Sequence, residues 1–101
     1  MNKGATLPET IIIPSTYNGK AVTSIGSYAF DYCYSLVSVV IGDSVTSIGG
    51  SAFEGCYSLT SVVIPDSITT IGDFAFMGCP IENIVIPDSV LSIGNAVFVG
   101  N

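Results

Sequence analysis

Apolar residues recur along this chain in short alternating runs, separated by stretches of polar and turn-forming residues of nearly constant length. Leu36-x-x-Val39-x-Ile41, Leu59-x-x-Val62-x-Ile64 and Ile81-x-x-Ile84-x-Ile86 share one alternation. A period of two built from β-branched residues predicts a short strand in each. The runs end in Gly42-Asp43-Ser44, Pro65-Asp66-Ser67 and Pro87-Asp88-Ser89. There proline fixes φ and aspartate caps backbone amides, so a turn follows. A second apolar pair comes next, Val45 and Ile48, Ile68 and Ile71, or Val90 and Ile93, each closed by a glycine. The segment that follows, for example Ser51 to Cys56, is too short for a helix; one helical or 3₁₀ turn suits it, with Ala52 and Phe53 tucked inward.

The same landmarks repeat throughout. Ile25-Gly26, Ile48-Gly49, Ile71-Gly72 and Ile93-Gly94 are spaced by 23, 23 and 22 residues, followed by Ala29-Phe30, Ala52-Phe53, Ala75-Phe76 and Val97-Phe98, then by Cys33, Cys56 and Cys79. Self-similarity at this period predicts a solenoid in which each copy forms one coil. The expected organisation is a single domain over residues 1–101, with a lead-in at 1–10 and repeats at 11–33, 34–56, 57–79 and 80–101. In one copy the inward candidates are Leu36, Val39, Ile41, Val45, Ile48, Ala52, Phe53 and Cys56. That is too little apolar surface to offset the conformational entropy of ordering the copy alone, so stability must be collective. The first copy replaces a two-residue turn by Ser15 to Ala21, centred on Asn18-Gly19, which predicts a hairpin because both central positions of the tight turn need positive φ. The last copy is one residue shorter, contains Pro80, and ends at Asn101 where cysteine is expected.

The unit from Leu59 to Cys79, LTSVVIPDSITTIGDFAFMGC, resembles the bacterial surface-protein (BspA-like) class of leucine-rich repeats, with its pattern L-x-x-(V/I)-x-I-P-x-(S/G)-V-x-x-I-G-x-x-A-F-x-x-C. The resemblance runs from about Ile11 to the C-terminus. It implies a mainly β, right-handed leucine-rich-repeat solenoid of about four coils, with a parallel sheet on one face and turns or 3₁₀ pieces on the other. It also implies a secreted or surface-anchored protein that adheres to host or matrix proteins, without enzymatic activity and without a cofactor.

Composition narrows the partners. Two lysines, no arginine and no histidine stand against eight acidic residues, for a net charge of −6. Such a chain repels phosphate backbones and anionic lipid heads, which argues against nucleic acid and membrane surfaces. Apolar runs are short, so no membrane insertion is expected. The region after Lys3 carries Pro8 and Glu9 where a signal peptide would be apolar, so an export signal, if there is one, is expected outside this sequence.

Candidate chemistry is sparse. Cys33, Cys56 and Cys79 form a column one coil apart without the close pairing that zinc requires, and are expected as buried free thiols, with a disulfide as the alternative. Asp43, Asp66 and Asp88 form a second column that either caps turns in water or holds a hard cation such as calcium. Repeated exposed turns offer no cleft in which paired carboxylates could acquire different pKa values, so no enzyme is expected. Tyr28, Tyr32, Tyr34, Tyr57 and Phe74 fall near the turns, where they are expected to cover the core with their hydroxyls in water.

The most informative positions are Ile12, Val40, Val63 and Val85, which point away from the core yet are apolar, flanked by Thr10, Ser38, Ser61 and Asn83. β-propensity alone accounts for them, and so does a contact surface for a protein. Tyr17, Asn18 and Lys20 on the hairpin are a second candidate contact. The expected function is a protein-binding or adhesion module that contacts an extracellular, host or matrix protein through the sheet face. The alternative is a structural spacer with no ligand of its own. Weak self-association is also expected, through the sheet face or through strand edges at Ile11–Ile13 and Ile84–Ile86.

Overall fold

A computed structural model describes residues 9–82 and 84–100. The expected lead-in therefore lies outside the described residues up to residue 8. Among the described residues there are nine strands: β1 (Thr10–Ile13), β2 (Thr16–Tyr17), β3 (Lys20–Ala21), β4 (Ser24–Ile25), β5 (Ser38–Ile41), β6 (Ser47–Ile48), β7 (Ser61–Val63), β8 (Thr70–Ile71) and β9 (Ser92–Ile93). They build a mainly β solenoid. The alternating runs pair side by side as a parallel sheet in the order β1-β5-β7, in the register Thr10↔Ser38↔Ser61, Ile11↔Val39↔Val62 and Ile12↔Val40↔Val63.

Past the turn, each coil contributes a second, shorter strand, and these stack as another parallel sheet in the order β4-β6-β8-β9. This second sheet is absent from the sequence reading, because a two-residue strand is too short to display alternation. Between the coils, Thr46 and Thr69 each donate a hydroxyl hydrogen to the carbonyl of Thr23 and Thr46, at 3.1 and 3.2 Å, and so reinforce the ladder.

The arc that closes each coil consists of overlapping β-turns, not a helical turn. In one coil Ala52 N–H donates to Gly49 O, Glu54 N–H to Ser51 O, and Cys56 N–H to Phe53 O, at 3.2–3.3 Å. A right-handed helix is interrupted because Ser51 and Gly55 adopt φ of 56° and 72°. The alternate N–H groups reach the next coil: Ser51 to Asp73 O, Phe53 to Ala75 O and Gly55 to Met77 O, each at 2.8 Å. The same pattern links Tyr28, Phe30 and Tyr32 to Gly50, Ala52 and Glu54, and Phe74, Phe76 and Gly78 to Asn95, Val97 and Val99. Tyr28, Phe74 and Ala96 repeat the positive φ of Ser51, although none is glycine. Strain of this kind persists where hydrogen bonds on both sides fix the conformation.

The core lies between these three walls. Leu36, Val39, Val45, Ala52, Phe53, Cys56, Leu59, Ile68, Ala75, Phe76 and Cys79 are fully buried. Phe30, Phe53, Phe76 and Phe98 form one parallel stack along the solenoid, with ring centroids 5.3, 5.3 and 5.9 Å apart.

The hairpin forms as expected: Thr16 pairs with Ala21 and Tyr17 with Lys20, while Asn18 and Gly19 hold φ of 51° and 78°. The expected strand over Ile84–Ile86 does not form, and among the described residues the sheet ends at β7. The shorter copy explains why. Leu36 and Leu59 enter their strands through i→i+3 turns from Cys33 and Cys56, whereas Ile81 N–H closes a three-residue turn on Cys79 O at 2.8 Å. Glu82 N–H then bonds Thr60 O at 3.1 Å, after which residues 84–87 leave the sheet. The self-association expected at an Ile84–Ile86 edge thus loses its strand.

Candidate functional site

The outer face of the β1-β5-β7 sheet carries the apolar column. Alternation sends Val39 and Val62 into the core and turns their neighbours outward, so Ile12, Val40 and Val63 sit beside one another in register. Ile12 is 70% exposed and Val63 53%. Val40 is only half-buried, because it lies between the other two side chains. Thr10, Ser38 and Ser61 form the polar rank next to them. Val85 is 81% exposed but sits outside any strand, and Asn83 lies outside the described residues. Where residues 84–87 diverge from β7, a groove of about 260 Å³ opens, lined by Ser61, Val62, Val63, Ile64, Ile84 and Val85. The column and the groove meet at Val63.

Tyr17, Asn18 and Lys20 are exposed on the separate β2–β3 hairpin. Asp43, Asp66 and Asp88 are exposed at their turns, while the neighbouring Ser67 and Ser89 donate hydroxyl hydrogens to Val45 O and Ile68 O of the preceding coil, at 2.6 and 2.8 Å. Among the described residues no three Asp, Glu, Cys or His side chains converge as a metal-ligand set.

The three cysteines are free thiols, all buried. Cys56 and Cys79 donate to Phe30 O and Phe53 O at 3.1 and 3.0 Å, joining each thiol to the preceding coil. Hydrogen bonding with Cys79 and burial hold the Cys56 thiol well above its ordinary range. The folded thiol therefore keeps its proton at a pH where the unfolded one ionises. The same hydrogen bond displaces the Cys79 thiol the other way, downward, so the two opposed shifts give stability no single direction of change with pH. Iodoacetamide at pH 8 should leave all three thiols unmodified in the native protein and label all three in urea. Labelling of the native protein at the unfolded rate would contradict the buried column.

Sequence reasoning missed a cluster of tyrosines. Tyr34 and Tyr57, one coil apart, stack with ring centroids 5.5 Å apart and planes 11° from parallel. Tyr32 meets both edge-on at 6.3 and 6.4 Å. Its hydroxyl donates to Glu54 Oε2 at 3.2 Å, so it is not simply hydrated as expected. That carboxylate holds the Tyr32 phenol above its usual range. The ring of Tyr32 lies over Gly55, where a Cβ would collide with it. The available signal was the shared position of Tyr34 and Tyr57, each directly after a cysteine.

The "BspA type Leucine rich repeat region (6 copies)" family matches residues 9–101, and the chain belongs to this family. Two solved structures are similar to it. One is a leucine rich repeat protein of T. pallidum, at 28% identity and a TM-score of 0.76, with 90% of this chain and 54% of that one covered. The other is a leucine-rich repeat protein from Bacteroides ovatus, at 33% identity and a TM-score of 0.63, with 90% and 31% covered. The chain thus spans about half and about a third of those two proteins. A search of curated proteins found no match. The mainly β leucine-rich-repeat solenoid read from the repeat is the fold observed.

Proposed function

We propose that this chain is a non-enzymatic binding module of a secreted or surface protein, meeting an extracellular host or matrix protein through the outer face of the β1-β5-β7 sheet. One observation carries the reading: apolar side chains stand in register on a solvent-facing sheet, Ile12 beside Val40 beside Val63, where polar residues would serve solubility better. Membership of the BspA-type family supports a protein-interaction or scaffold role. The patch is small. Three parallel strands span about 10 Å, well short of the roughly 800 Å² per partner of a standard interface. A single copy of this face binds weakly, and useful affinity comes from several coils or several molecules acting together.

Val63→Lys tests the assignment. Val63 lies outside the buried core cluster with more than half of its surface exposed, so lysine there should change stability by less than about 1 kcal/mol. Capture of the chain by an immobilised panel of matrix and host-surface proteins should be lost. Capture that survives would place the contact elsewhere. A wild-type chain that captures nothing would favour the structural-spacer reading, in which the solenoid only sets distances within a larger protein.

A further inference from the structure

We propose that Tyr32, Tyr34 and Tyr57, together with Glu54, form a second docking surface, one that receives arginine side chains from a segment of a partner protein. The tyrosines come from two successive coils and touch one another, yet Tyr34 and Tyr57 remain 55% and 58% exposed and Tyr32 38%. With one face of Tyr34 and of Tyr57 against the other ring, that exposure leaves aromatic surface open to a ligand. The arrangement is set in advance. Tyr32 occupies the left-handed region at φ 57°, its ring rests over Gly55, and its hydroxyl is tied to Glu54.

Charge selects the occupant. An aromatic face is electron-rich and attracts cations, guanidinium above all, which also stacks flat against it. Glu54 adds a carboxylate that accepts one hydrogen bond from Tyr32 and keeps further lone pairs for a guanidinium fork. The chain has no arginine, and among the described residues its one lysine, Lys20, sits on the separate β2–β3 hairpin. A net charge of −6 draws a basic segment toward the surface and repels an acidic one. This surface shares no residue with the β1-β5-β7 face, so either can stand without the other.

The probe is a capped hexa-arginine peptide, titrated at low salt and followed by the ring resonances of the tyrosines. Saturable binding with shifts at Tyr32, Tyr34 and Tyr57 is expected. The double substitution Tyr34→Ala/Tyr57→Ala should weaken it about fivefold or more, as removal of two exposed cation–π contacts predicts. Tyr34→Leu/Tyr57→Leu keeps the apolar bulk and should weaken it similarly, which guards against a folding defect in the alanine variant. Glu54→Gln should weaken it, whereas Asp88→Asn, the same change of charge at a distant turn, should not. Hexa-lysine should bind less tightly. Equal losses from Glu54→Gln and Asp88→Asn, undiminished binding by both tyrosine variants, or equal affinity for hexa-lysine would each overturn the proposal.

Discussion

Phe53→Ala should destabilise the protein by roughly 3–5 kcal/mol, the range found for deleting a buried phenylalanine. Phe53 is fully buried and has a ring on each side, Phe30 and Phe76, both at 5.3 Å and within 7° of parallel. Its removal opens a gap in the middle of a continuous column. The neighbours cannot close it, because their backbones are held one coil apart by the bonds from Phe30 N–H to Ala52 O and from Phe53 N–H to Ala75 O. Phe30 and Phe98 are only partly buried and stack on one side within the described residues, so alanine there should cost distinctly less. Urea denaturation midpoints for the three variants provide the measurement. Equal losses at Phe53 and Phe98 would mean that the rings do not act as one stack. A domain of ordinary stability, about 5–15 kcal/mol, would survive Phe53→Ala with little margin.

Gly72→Ala and Gly26→Ala are the same substitution at equivalent points of the repeat, and their outcomes should differ sharply. A Cβ on Gly72 would sit 2.5 Å from Gly50 N and 2.8 Å from Gly49 C, both backbone atoms of the preceding coil. Backbone cannot rotate aside as a side chain can, so the two coils must separate and their hydrogen bonds stretch. The expected cost is about 3 kcal/mol or more, at the upper end for overpacking. A Cβ on Gly26 meets nothing within 4 Å, and its φ lies outside the left-handed region. There alanine should be neutral or stabilise by up to about 1 kcal/mol, through the lower entropy of its unfolded chain. If both variants shift the urea midpoint alike, coil-to-coil contact at this glycine is not what limits the packing.

How far the sequence revealed these features depended on whether side chains recorded the local conformation. Alternation placed Leu36, Val39 and Ile41 in the core and the repeated closing segment placed Phe53 and Cys56 there, and the structure buries every one. The Asn18-Gly19 pair announced its hairpin because two successive positive φ values demand such residues. The closing arcs left no such trace. Tyr28, Ser51, Phe74 and Ala96 all adopt positive φ without being glycine, since the hydrogen bonds of the stack, and not local preference, hold them there. The absent strand at Ile84–Ile86 follows from the missing residue near Pro80, whose consequence depends on how the chain re-enters the coil. For the binding face, the column could be read from outward β-branched positions, although not the shielding of Val40 by both of its neighbours. Of the tyrosine cluster, the sequence held only the matching positions of Tyr34 and Tyr57 after a cysteine; the contact of Tyr32 with Tyr57 is made across a coil boundary and leaves no local pattern.

The arc bonds have one more consequence. In the two inner coils the peptide groups Gly50–Ser51 and Asp73–Phe74 each accept from the preceding coil, from Tyr28 N–H and Ser51 N–H, and donate to the next, to Asp73 O and Asn95 O. All nine such links, from Tyr28 to Gly78, point the same way along the stack. Dipoles of about 3.5 D aligned over nine links sum to roughly 30 D. The links on the strand side run the other way, from Thr46 N–H to Thr23 O, Gly49 N–H to Ile25 O and Gly72 N–H to Ile48 O, so opposed peptide dipoles face each other across the core and largely cancel along the stack.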